Sequence, residues 1–271
     1  MSEVKGKLKY IANQIKIKVR NRTDSLEIEP IFILGNEKSG TTVIADLLAK
    51  ACNYSVTLDI PPIWNPIQLD IHNNKRKLRD LIQKNKYYFG AKVIKEPVLT
   101  FEYPQLKSLY PRAKFILIVR DPRDNIRSIL NRLSIAGNLT AFNLDNLLGK
   151  QKFKESWTTV IDNRWLGIEF THYIESMASR WCHIVDLYLN NPDDILLMRY
   201  EDFTQNKVEY ITNFAQRFES EIDKSFEKFV DIQYQVAGNK NVQYEEFFGQ
   251  TNLEKILTIC ENRMNSLEYG V

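Results

Sequence analysis

The octet Gly35-Asn36-Glu37-Lys38-Ser39-Gly40-Thr41-Thr42 follows directly on the apolar run Ile31-Phe32-Ile33-Leu34. A glycine-containing turn between a strand and a helix points successive backbone N–H groups, and the positive end of the helix, at an anion. The two glycines are spaced as in the phosphate-cradling pattern G-x-x-x-x-G-K-[ST], with Thr42 at the hydroxyl position. Thr41 stands where that pattern has its lysine, and Lys38 lies three residues earlier, inside the loop. The cradle is kept and the charge has moved. A phosphate or sulfate ester is the expected ligand, with Ser39, Thr41 and Thr42 as hydroxyl donors.

A second segment points to a second anion. Phe115–Val119 reads as a buried strand, Arg120 ends it, and Asp121-Pro122 supplies an N-cap and a first-turn proline for the next helix. Arg120 is thus expected at the sheet's carboxyl edge beside a helix N-terminus. Ser128, two turns into that helix, is placed to reach the same anion, while Arg123 and Arg127 are read as solvated or supporting from outside. The planar fork of an arginine suits two oxygens of one phosphate.

Together these segments resemble the sulfotransferases that use 3′-phosphoadenosine 5′-phosphosulfate (PAPS). "EKSGTT" is similar to that family's P-[KR]-S-G-T-T loop, and "RDPRDNIRS" to its R-x-x-[KR]-x-x-x-x-S segment, with Ser128 eight residues after Arg120. The resemblance implies that Lys38, Ser39, Gly40, Thr41 and Thr42 contact the 5′-phosphosulfate, and Arg120 and Ser128 the 3′-phosphate. "RYEDF" (199–203) and "EKILTICENRMNSLEYG" (254–270) extend it to the end of the chain. The family's late basic-glycine segment has only a weak counterpart in "GNKN" (238–241), with Lys240. Glu37 stands where the family commonly has proline, so its side chain is expected to turn outward, away from the anion.

The resemblance also implies a chemistry without a metal, with Lys38 neutralising the leaving group and Lys95, in "IKEP", approaching the transferring group. "KEP" resembles the K-D-P of the tyrosylprotein branch rather than the K-T-H of the phenol and steroid branch. His72, His172 and His183 lie elsewhere, so the base is sought among carboxylates. In the tyrosylprotein and several carbohydrate branches an acid follows the loop's basic residue by about 21 positions, as the resemblance implies; that position here is Asp59, with Glu96 in reserve. The choice of a carboxylate over a histidine resembles the carbohydrate and tyrosylprotein branches, and that resemblance implies a glycan or glycoconjugate hydroxyl as acceptor. A nucleotide or small-molecule kinase, and a binding module that has lost its chemistry, are the competing readings. The missing Gly-Lys-[ST] weighs against the first, and the presence of Lys38, Arg120 and Ser128 against the second.

Positioning these groups requires strands that end together. Ile31–Leu34, Ala91–Ile94, Phe115–Val119 and Ile195–Met198 look apolar on both faces. Tyr54–Leu58 adds a short edge strand, and helical stretches separate the runs. That is the pattern of an α/β fold with a parallel sheet covered on both faces, whose ligands collect beyond the strand carboxyl ends. A chain of 271 residues, 44% hydrophobic, has material for one sizeable domain. The stretch 134–190 is expected to be an irregular and helical insertion that covers the substrate as a lid.

The net charge of +3 does not argue for nucleic acid. The basic character is local. Residues 1–22 hold seven bases against one acid, with Leu8, Ile11, Ile15 and Val19 at helical spacing. Within the first 30 residues this predicts a basic helix packed on the body, with peripheral membrane contact as the alternative. Cys52, Cys182 and Cys260 are read as buried thiols in a reducing, cytoplasmic setting, and no apolar run approaches the roughly 18 residues of a membrane span.

Overall fold

A computed structural model describes residues 2–141, 143–150, 155–170, 172–218, 221–233 and 242–270. Helix α1 (Ser2–Thr23) precedes the sheet; β1 (Ile31–Gly35) leads into α2 (Thr41–Ala51), and β2 (Val56–Thr57) follows. Three short helices, α3 (Ile67–His72), α4 (Leu78–Lys84) and α5 (Lys86–Phe89), carry the chain to β3 (Val93–Lys95). Next come α6 (Tyr103–Leu109), β4 (Lys114–Val119) and α7 (Pro122–Leu133). Helices α8 (Leu144–Lys150), α9 (Glu155–Ile161) and α10 (Tyr173–Leu189) precede β5 (Ile195–Arg199). The chain closes with α11 (Tyr200–Gln205), α12 (Lys207–Gln216) and α13 (Tyr244–Ser266).

The five strands are parallel in the order β2-β3-β1-β4-β5, with β1 at the centre. Alternate residues of β1 enter opposite halves of the core. Phe32 and Leu34 join one layer with Ile94, Phe115, Leu117 and α10; Ile31 and Ile33 join the other with Ile116, Ile118, Met198, α2 and α12. A strand buried on both faces reads as a continuous apolar run, which is why these strands show in the sequence. Because all five run the same way, the residues after Leu34, Lys95, Val119 and Arg199 meet at one edge.

One expectation needs correcting. Helix α1 forms, but Ile11, Val19 and Ile15 (58% exposed) face outward instead of packing on the body. The helix is held at its last turn, where the Arg20 guanidinium lies 4.9 Å over the Tyr87 ring and Asn21 Oδ1 accepts from the Tyr87 N–H. Between 134 and 190, the described residues form α8, α9 and α10 with irregular stretches between them. Leu144, Leu147, Val160 and Ile161 from α8 and α9 are buried in the main core, anchoring this segment to the body. Cys52, Cys182 and Cys260 are all buried, and Cys182 and Cys260 place their sulfurs 3.8 Å apart. Among the described residues no helix is long and apolar enough to cross a membrane.

Candidate active site

The loop between β1 and α2 is fixed by its neighbours. Gly35 has φ 145°, and a Cβ there would meet the Ile118 carbonyl oxygen of β4 at 2.6 Å. Its N–H donates to Thr100 Oγ1 (2.9 Å), whose hydroxyl returns a bond to the Gly35 carbonyl. Gly40, at φ 89°, caps α2, and a Cβ there would fall 2.3 Å from the Tyr200 ring. Both glycines are therefore required by φ and by close approach. Between them, Asn125 of α7 donates to the Glu37 carbonyl (2.8 Å) and Ser39 Oγ (3.0 Å), and accepts from Asn36 Nδ2 (2.7 Å). Lys38 takes the left-handed conformation, φ 67°. Burial, then the charges of Arg132 and Arg120, hold its ammonium pKa below the usual lysine range. Cations gathered against their own repulsion mark a place prepared for an anion.

Arg120 leaves the end of β4 where the sequence places it. Asp121 caps α7 by accepting from the Arg123 N–H (2.8 Å), and Pro122 opens the helix. Arg120 Nη1 donates to the Lys38 carbonyl (3.2 Å), Nη2 lies 3.7 Å from Asp124, and the guanidinium sits 4.8 Å over the Tyr200 ring. Its Nε is buried with no hydrogen-bond partner among the described residues, a donor that a bound oxyanion would satisfy. Arg120, Asp124, Arg127, Tyr200, Glu201 and Tyr244 are among the residues lining a cavity of about 330 Å³.

Of the two readings that the sequence left for Arg127, solvated or supporting, the structure excludes the first. Arg127 is buried, donates to the Val242 carbonyl (2.7 Å), pairs with Asp124 and lies 5.2 Å from the Tyr244 ring centre. Arg123 is bound to Asp121 and to the Gly270 carbonyl. Ser128 lies half-buried two turns into α7 and is not among the residues lining the cavity. Residues 238–241, with Lys240, fall outside the described residues.

At the next strand, β3 pairs with β1 so that Lys95 sits opposite Ile33, and the chain leaving β2 brings Asp59 alongside. Lys95 Nζ donates to Asp59 Oδ1 at 2.9 Å; the lysine is 7% exposed and the aspartate 55%. A buried cation and an open carboxylate thus meet at the sheet edge. Glu96 has both oxygens engaged: Oε1 accepts from the Val98 N–H, and Oε2 from the Ile60 N–H (2.7 Å) and Trp64 Nε1 (2.9 Å). Burial pushes its carboxyl pKa up, and its bonds pin the Ile60–Trp64 turn under the sheet edge. Glu96 acts as a clamp beside Asp59. None of the three histidines bonds to Lys95 or Asp59: His172 bonds the Leu139 carbonyl, His72 faces Glu102, and His183 stacks near Phe101.

Residues 29–236 match the family model described as the sulfotransferase domain. The chain belongs to that family. Among solved structures it is similar to sulfotransferase STF9 from Mycobacterium avium, with 14% identity, TM-score 0.54 and coverage of 96% of this chain and 82% of that one. It is also similar to mouse sulfotransferase SULT7A1 complexed with PAP, 3′-phosphoadenosine 5′-phosphate, with 13% identity, TM-score 0.50 and coverage of 93% and 89%. No curated protein sequence matches the chain. The likeness to these structures establishes the sulfotransferase fold, and the match to the domain places the chain among the PAPS-dependent sulfotransferases that its two motifs resemble.

Three residues of this sulfotransferase, Tyr200, Asn125 and Arg180, were not singled out in the sequence. Tyr200 carried a signal, since it directly follows a strand end where ligands collect. Asn125 and Arg180 carried none, because their partners are far away in the chain.

Proposed function

We propose that this enzyme moves the sulfuryl group of PAPS to a hydroxyl of a glycan or glycoconjugate, without a metal. The donor supplies the sulfuryl group and leaves as PAP. Lys38, the loop N–H groups and the α2 N-terminus hold the 5′-phosphosulfate end and stabilise the charge that grows there as the sulfur–oxygen bond breaks. Arg120, with its unpartnered Nε, holds the 3′-phosphate, and the Tyr200 ring beside it suits a nucleotide base. Asp59 accepts the proton of the attacking hydroxyl, and Lys95 orients that carboxylate through their 2.9 Å contact.

The contact between Lys95 and the exposed Asp59 carries the choice of a carboxylate over a histidine, and with it the glycan reading. Transfer of radiolabelled sulfate from PAPS to a panel of oligosaccharides, phenols and tyrosyl peptides, in EDTA, tests it. Labelled oligosaccharide is expected. Label confined to phenols would overturn the acceptor, and loss of all transfer in EDTA the metal-free route.

The outward stripe of α1 supports one further contact. Ile11, Ile15 and Val19 are exposed on a segment rich in bases, a composition that matches an anionic lipid surface. Sedimentation with phosphatidylglycerol vesicles, lost on replacing these three residues with serine and absent with phosphatidylcholine, is the expected result. Equal sedimentation with both lipids, or none with either, would rule the contact out.

A further inference from the structure

Glu37 puts an acid next to the loop lysine, in a turn whose ligand is an anion. The structure does not turn it to solvent. Glu37 Oε2 lies 2.7 Å from Nη2 of Arg180, which reaches in from the middle of α10 and is 1% exposed. The same guanidinium donates from Nε to Asn36 Oδ1 (2.9 Å) and from Nη1 to the Thr159 carbonyl and Asn163 Oδ1 (both 3.1 Å), and it lies 4.3 Å from the Phe101 ring centre. Asn36 in turn accepts from the Glu37 N–H and donates to Asn125, which holds Ser39. A single buried arginine therefore fixes two consecutive loop side chains and cancels the charge of one.

We propose that Arg180 is a positioning residue for the donor loop, the charge partner that lets Glu37 stand beside a bound phosphosulfate. This deepens the proposed function and rests on its donor site. A buried guanidinium with carboxylate and carbonyl partners is costly to leave half-paired, in either direction. Without Arg180, the Glu37 carboxylate would face the incoming anion unopposed. Without Glu37, the arginine's charge would add to that of Lys38.

Calorimetry with PAP and with uncharged adenosine separates charge from scaffold. Arg180→Met should weaken PAP by about 30-fold, more than it weakens adenosine, and adding Glu37→Gln should restore about 10-fold of that loss. Glu37→Gln alone should leave PAP binding undiminished or up to about 5-fold tighter, with adenosine unchanged. A purely structural role predicts instead that the second substitution makes matters worse, and that PAP and adenosine suffer alike. Either result overturns the proposal. Should Arg180→Met fail to fold, Glu37→Gln still decides, because a loss of PAP affinity there contradicts the charge argument. A wild-type enzyme that does not prefer PAP to adenosine would instead overturn the donor site itself.

Discussion

The loop at 35–42 and the cavity beside Arg120, the two anion subsites of the proposed reading, are built in opposite ways. The loop is contiguous. Its donors are backbone N–H groups, its one cation is a lysine with depressed pKa, and side chains from α7 and α10 hold it from outside. The cavity is assembled from three distant stretches, 120–127, 200–204 and 242–244, and its donors are arginine side chains steadied by tyrosine rings. The end of the chain completes its frame. Glu201 accepts from the Asp121 N–H (3.0 Å) and from the buried Tyr269 hydroxyl (2.8 Å), tying the ends of β4 and β5 to the C-terminus. In the proposed function, one subsite would stabilise a charge that changes during reaction, and the other would grip a charge that does not.

That contrast can be broken at several points, the largest effect first. Asp59→Asn removes the proposed proton acceptor and should lower turnover by ~10²–10⁴ while PAP affinity stays within about 2-fold, by steady-state assay and calorimetry. Near-normal turnover would return the search for the base to other groups at the strand edge. Lys38→Ala should lower kcat by roughly 10²–10³, since removal of one preorganised donor to a developing anion costs about that much. A change in KM alone would mean that the loop grips rather than catalyses.

The third test uses pH. Anion binding favours protonated Lys38, whose pKa lies below the ordinary lysine range, whereas the arginines of the cavity stay charged. PAP affinity should therefore fall by about 10-fold as pH rises through the Lys38 titration, and adenosine 3′-phosphate, which lacks the 5′ group, should be unaffected. Lys38→Arg should abolish the fall. The smallest effect is expected at the frame: Tyr269→Phe removes one buried hydrogen bond, costing about 1 kcal/mol of stability, and weakens PAP a few-fold through Glu201. An unchanged melting temperature would count against that link.

Sequence patterns reach as far as contiguity allows. The strands were legible because Ile31–Leu34 and Phe115–Val119 are apolar on both faces, and the start of α7 because Asp121-Pro122 is a local capping signal. Lys38 and Arg120 could be singled out because each lies just beyond a strand end, and Asp59 because the family resemblance implies an acid about 21 positions after Lys38. Arg180, Asn125 and Tyr244 could not, since what matters about them is a partner tens of residues away. For Glu37 the sequence led to the wrong orientation: an acid beside an anion site turns outward only when no buried base faces it, and Arg180 does so from 143 residues along the chain. The stripe of α1 shows the opposite error, in which a helical period is real but the body offers it no face.

The central claim is that two separate anion subsites, Lys38's and Arg120's, grip one nucleotide at its two ends. Calorimetry of wild type and Arg120→Ala against PAP and 5′-AMP measures this directly. Wild type should bind PAP at least ~10-fold more tightly than 5′-AMP, the value of one charge-assisted contact, and Arg120→Ala should bring the two together by weakening PAP alone. Equal affinities in the wild type, or a preference for PAP that survives Arg120→Ala, would contradict the account.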